Sequence, residues 1–222
     1  MEIKEILEKC DHTLLDRCAK KEDIFALIDD GIKFGVASVC IPPCYVKEAA
    51  AYAGGRVKIC TVIGFPNGYS AKEVKVYEAK VAVRDGADEI DTVINTCHLK
   101  DKRYGEILEE LKEIKRAIGN KILKVIIETC LLTEEEKIKM CEIVSISGAD
   151  FIKTSTGFSS GGATREDIAL MSKHIEKGVK IKAAGGIASL KDAEDFINLG
   201  ADRLGTSRVV KLVKKEDTNV GY

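Results

Sequence analysis

Short apolar runs alternate along the chain with longer stretches of helical periodicity. The runs fall at residues 10–13, 36–41, 58–63, 89–94, 122–127, 151–154, 180–183 and 203–205, and most read as strands buried on both faces. Between them, apolar positions recur at helical spacing over residues 23–34, 43–53, 71–84, 104–118, 134–147, 165–176 and 190–199. A short helix is expected at the amino terminus, Ser207 is placed to open a short final helix, and the residues after Lys215 read as a polar tail. The tripeptide Gly-Ala-Asp occurs at 86–88, 148–150 and 200–202, each time between a helical stretch and a strand, where glycine supplies the left-handed residue that closes a helix. Ser70, Thr133 and Thr164 are the expected N-caps, and Thr133 with Glu136 has the spacing of a capping box. Strands alternating with helices imply a parallel sheet, and eight such units predict an α/β fold, a (β/α)8 TIM barrel formed as a single domain over residues 1–222. An open doubly wound sheet is the alternative topology.

Three charged residues interrupt the predicted strands: Asp91 in EIDTVIN, Lys153 in FIKTST and Lys182 in KIKAAGG. Burying an ion without a partner is costly, so these positions need a reason. A lone lysine near a strand end is ordinarily a snorkelling surface residue. Three charges at strand ends of one barrel point instead to its active face. Lys153 and Lys182 fall on consecutive strands, ~4.8 Å apart in a parallel sheet. Mutual repulsion and desolvation then predict that at least one of them is neutral, and a neutral amine attacks carbonyls to form a Schiff base. Asp91 is placed to relay protons. Gly185 and Gly186 after the seventh strand, and Gly205, Thr206 and Ser207 at the eighth, occupy the loops with which barrels commonly bind phosphate.

Composition narrows the function classes. The 222 residues carry 35 basic and 36 acidic side chains, without the basic excess of a general nucleic-acid binder. No apolar run approaches the ~18 residues of a membrane span, and MEIKEILEKC is too short and charged for a signal peptide, so a cytoplasmic protein is expected. The eight cysteines include no CxxC pair and are expected to be reduced and mostly buried; with three scattered histidines they make no zinc site. GxGxxG, Walker and HExxH motifs are absent from the sequence. His12 and His98 lie near predicted strand ends, His174 lies in a helix facing solvent, and none is assigned a catalytic role.

The motifs DHTLLD (residues 11–16), GADEIDTVIN (86–95), FIKTSTGF (151–158), KAAGGI (182–187) and LGTS (204–207) together resemble the deoxyribose-phosphate aldolase family over residues 11–207. The resemblance implies a class I aldolase that reversibly cleaves 2-deoxy-D-ribose 5-phosphate to D-glyceraldehyde 3-phosphate and acetaldehyde. It makes Lys153 the Schiff-base lysine, Lys182 its proton donor or pKa modulator and Asp91 the proton relay, with no metal and no organic cofactor. Substrate and phosphate contacts are expected from Thr156, Gly157, Gly185, Gly186, Gly205, Thr206 and Ser207. Asp11, Thr13 and Cys40 are further pocket candidates, and Tyr222, the last residue, matches a tyrosine whose tail reaches the site in some members. Pro42 stands where members commonly have asparagine. A transaldolase-like Schiff-base barrel and a catalytically silent phosphate-binding barrel are the alternatives. A homodimer or homotetramer is expected, acting on a small phosphorylated sugar and acetaldehyde, with neither nucleic acid nor membrane as partner.

Overall fold

Successive side chains of a strand point to opposite faces, and in this protein the two faces differ in chemistry. The computed structural model describes residues 1–219, with side chains through residue 215. Eight parallel strands follow in order: β1 (Cys10–Thr13), β2 (Ser38–Ile41), β3 (Ile59–Ile63), β4 (Glu89–Val93), β5 (Ile122–Ile126), β6 (Phe151–Lys153), β7 (Lys180–Ala184) and β8 (Arg203–Thr206). β8 pairs with β1, so the sheet closes into the expected TIM barrel and not the open alternative. Outward residues such as Ile59, Ile90, Leu123, Ile152, Ile181 and Leu204 join the main apolar core beneath the helices. The inward positions hold a small separate cluster of Cys40, Cys60 and Val62, packed by Leu15 and Phe65. The remaining inward positions are largely polar: Asp11, Ser38, Glu89, Asp91, Lys124, Lys153, Lys182 and Arg203. Both faces are largely buried, the outer one mainly apolar with His12, Thr61, Thr92 and Thr206 among its residues, the inner one mainly charged.

The helices are α1 (Ile3–Leu7), α2 (Lys21–Phe34), α3 (Val46–Ala53), α4 (Lys72–Arg84), α5 (Thr96–Lys100), α6 (Tyr104–Ile118), α7 (Glu134–Ser147), α8 (Arg165–His174), α9 (Leu190–Asn198) and α10 (Val209–Asn219). Thr133 and Thr164 cap α7 and α8, and Thr133 with Glu136 completes the capping box. Ser70 caps nothing: α4 has Ala71 at its N-cap, without a side-chain cap. The three glycines of the repeated tripeptide have φ of 108°, 84° and 114° at Gly86, Gly148 and Gly200, as helix closure requires.

Several expectations change. Pro42 and Pro43 begin a 3-10 turn over Pro43–Tyr45, so α3 starts at Val46. The five-residue α5 was not legible in the apolar pattern; Asn95 nucleates it by accepting the amides of Cys97 and His98. His98 therefore sits on an outer helix. The expected polar tail is the end of α10, which runs through Asn219, and Tyr222 lies outside the described residues. Of the eight cysteines, Cys10, Cys40, Cys60 and Cys141 are buried and the other four are exposed, fewer buried than expected. Among the described residues, no helix is long and apolar enough to cross a membrane.

Candidate active site

Alternation along β4, β6 and β7 turns Asp91, Lys153 and Lys182 into the barrel, where strand register brings them together: Asp91 is level with Lys124, and Lys153 with Lys182. Asp91 Oδ2 accepts from both Lys153 Nζ and Lys182 Nζ at 2.8 Å. Asp91 Oδ1 accepts from Lys124 Nζ at 2.9 Å and from the Cys60 thiol at 3.2 Å. Lys182 also donates to Asp11, and Lys124 lies 2.6 Å from Glu89 and 3.3 Å from Asp11. Arg203 closes the network from below by donating to both Asp11 and Glu89. Asp11, Glu89, Asp91, Lys124 and Lys182 are fully buried, whereas Lys153 keeps 4% of its surface at the opening.

Two lysines facing each other were expected to depress one another. The carboxylates between them change the outcome. Burial acts to lower Lys182, but the charges of Asp11 and Asp91 outweigh it and hold the ammonium above its ordinary range. Lys124 is likewise raised well above its ordinary value, against burial, by Asp11 and Asp91. Burial acts to raise Asp91, and Lys124, Lys153 and Lys182 nonetheless hold it well below the usual carboxylate range. Four cations, Lys124, Lys153, Lys182 and Arg203, face three carboxylates, Asp11, Glu89 and Asp91, one positive charge in excess. Lys153 has a single carboxylate partner, and it alone of the four lines the open cavity.

That cavity, about 840 Å³, lies at the C-terminal ends of the strands. Thr13, Thr156, Gly157, Gly185, Gly186, Gly205, Thr206 and Ser207 all line it, so the expected binding positions converge on the mouth above Lys153. The amides of Gly157, Gly185, Gly186 and Ser207 make no hydrogen bond among the described residues. Gly185 and Gly186 have φ of 73° and 74°, and a Cβ on Gly162 would meet the Gly185 carbonyl carbon at 2.6 Å, so this wall depends on glycine. Arg17, Arg208 and Lys211 add cationic side chains to the rim. Two pocket candidates sit elsewhere. Asp11 belongs to the charge cluster, and Cys40 packs inside the barrel against Cys60 and Val62.

Residues 6–203 match the model of the DeoC/LacD family aldolases. The deoxyribose-phosphate aldolase of Clostridioides difficile (strain 630) is 60% identical over 216 residues, covering 97% of this chain and 99% of the relative. That of Streptococcus pyogenes serotype M4 (strain MGAS10750) is 56% identical over 98% of both chains. The chain belongs to the DeoC/LacD aldolase family. Among solved structures, the tetrameric deoxyribose phosphate aldolase of Aeropyrum pernix superposes with a TM-score of 0.87 at 30% identity, covering 98% of this chain and 93% of that one. An aldolase described as QR15 gives 0.91 at 40% identity, covering 96% and 98%.

In this family member, sequence reasoning missed Lys124, Glu89 and Arg203. Lys124 carried the same signal as Lys153, a cation inside an apolar strand, in Ile122-Leu123-Lys124-Val125. Glu89 and Arg203 each open a strand directly after a Gly-Ala-Asp turn, where a charge passes for a surface residue.

Proposed function

We propose that this family member reversibly cleaves 2-deoxy-D-ribose 5-phosphate to D-glyceraldehyde 3-phosphate and acetaldehyde, with Lys153 as the Schiff-base nucleophile. The observation that carries the reading is the shared Asp91 oxygen, 2.8 Å from both Lys153 and Lys182 and buried beneath Lys153, which opens into a cavity walled by unpaired amides. The open-chain sugar presents its C1 aldehyde to the Lys153 amine, and addition gives a carbinolamine that loses water to form an iminium. Removing the C3 hydroxyl proton breaks the C2–C3 bond, and the electron pair moves into the iminium to leave an enamine. Protonation at C2 and addition of water release acetaldehyde and return the free amine. Asp91 and Lys182 are placed to carry the protons for carbinolamine dehydration and enamine protonation. The cluster holds one more cation than carboxylates, so losing one proton balances its charge, and Asp91 keeps Lys124 and Lys182 as partners.

The phosphate would lie against the amides of Gly185, Gly186 and Ser207, near the start of α10, with Arg208 and Lys211 nearby, a combination that favours an anion. The exposed Tyr69, Val74 and Tyr77 at and before α4 favour a homo-oligomer, to be measured by light scattering. The decisive test is intact-mass spectrometry after incubation with 2-deoxyribose 5-phosphate or acetaldehyde and borohydride. A reduced adduct on the native chain, absent from Lys153→Ala, is expected. No adduct on the native chain overturns the Schiff-base reading.

A further inference from the structure

The segment after β6 forms part of the cavity wall, and a carboxylate outside the charge cluster holds it. Glu128, just after β5, has φ 55° and ψ 66°, a left-handed conformation unfavourable for a residue with a Cβ. Its side chain is buried, and among the described residues no lysine or arginine pairs with it. Both carboxylate oxygens instead accept the Thr156 amide at 3.3 Å, and Oε2 accepts the Thr156 hydroxyl at 2.5 Å. Thr156 Oγ1 then accepts the Phe158 amide at 3.0 Å. Among the described residues, the neighbouring buried hydroxyls of Thr129 and Ser155 have no partner. Thr154 is tied to β7 through its amide to Lys182 O and its hydroxyl to Ala184, and to the turn after β5 by the bond from Thr129 N to Thr154 O, 2.9 Å. Beyond Thr154, the carboxylate of Glu128, which the Cys130 thiol also approaches at 3.9 Å, is what holds Thr156. An unpaired buried carboxylate on a strained backbone persists only where its surroundings over-determine it, and such strain gathers at functional sites. Thr156, Gly157 and Phe158 line the cavity that Lys153 opens into, yet both donors of Thr156 are spent on Glu128.

We propose that Glu128 is a positioning residue for substrate affinity: by clasping Thr156 it sets the Gly157 amide and the Phe158 ring against the phosphorylated end of the substrate, which Glu128 itself never touches. Thr156 is then scaffold, and Gly157 the donor. The inference rests on the aldolase reading above.

Kinetics with 2-deoxyribose 5-phosphate and with unphosphorylated 2-deoxyribose, together with borohydride trapping of acetaldehyde, test it. For Glu128→Ala, KM for the phosphorylated substrate should rise at least about tenfold, the loss expected for hydrogen bonds to a buried charge. KM for the unphosphorylated sugar and the acetaldehyde adduct yield should stay within about twofold. Glu128→Gln keeps an acceptor oxygen and should fall between native and Ala. Glu128→Gly relaxes the backbone but lacks the carboxylate, and should match Ala. A native KM in Glu128→Gly overturns the proposal, because backbone conformation alone would then matter. Equal losses on both sugars and on the adduct overturn it too, as a general structural effect. Thr156→Val removes the hydroxyl arm of the clasp together with the acceptor of the Phe158 amide, and should raise KM for the phosphorylated sugar more than for the unphosphorylated one; an unchanged KM sinks the idea. If the native chain traps no imine, the aldolase reading fails first and this proposal falls with it.

Discussion

Asp91 accepts from four donors, Lys124 and Cys60 on one oxygen and Lys153 and Lys182 on the other, so its neighbours are coupled through it. Removing one partner from a buried ion network strands the rest, which typically costs 3–5 kcal/mol. Lys124→Met should therefore destabilise the barrel by roughly that amount, measured as a lower denaturant midpoint, although Lys124 does not line the cavity. The same network sets a pH window. Asp11 and Asp91 are held below their ordinary 3.8, so their contribution to stability is full above that value and declines as pH falls below it. Lys124 and Lys182 are held above 10.5, so theirs is full below that value and is lost as pH rises through the raised values. His12 faces outward from β1, and burial pushes its imidazole down to about 4 from 6.5, with Nδ1 unpartnered among the described residues. Protons then prefer the unfolded chain, and stability should fall between pH 6.5 and about 4, by up to ~3 kcal/mol. Urea unfolding across that range should show the decline in the native chain and a flatter curve in His12→Asn.

At the scale of elements, β7 and β8 pack so closely that a side chain on Gly205 would be tight against β7. A Cβ there would lie 3.0 Å from Ala184 Cβ and 3.1 Å from Lys182 Cε. Gly205→Ala should therefore press on Lys182, cost about 1–3 kcal/mol and lower kcat. Thr133→Ala at the start of α7 is the matching control. It removes a cap worth ~1 kcal/mol outside the barrel and should lower the melting temperature while leaving kcat and KM unchanged. Elements were also where the sequence was most legible. α6 was predicted to the residue by its strong apolar period, and α7 by the Thr133–Glu136 capping box at its start and Gly148 at its end. α5 was missed because five residues carry no period, and its only signal is the Asn95 cap. Ser70 failed as a cap because the helix it was assigned to begins two residues later.

For the molecule as a whole, the formal net charge is −1, while the interior network is one positive charge in excess and the mouth carries Arg17, Arg208 and Lys211. The rim charges are open to solvent, so added salt should screen them. Raising ionic strength to ~0.5 M should increase KM for 2-deoxyribose 5-phosphate several-fold, with kcat and KM for the unphosphorylated sugar little changed, and initial rates measured across a salt series check it. By itself the sequence determined the eight-strand alternation, the closing turns, and the lysines and aspartate that had no reason to be in strands. Those features rest on local periodicity and on the cost of burying charge, and both are visible in one dimension. Only the tertiary structure decided what the charges do to one another. Asp11, Glu89 and Lys124 come from strands far apart in the chain, and closure of β8 onto β1 is what brings carboxylates between the lysines. The repulsion inferred from two neighbouring strands therefore became compensation, and the clasp of Glu128 on Thr156 stayed hidden for the same reason, since it joins residues 28 positions apart.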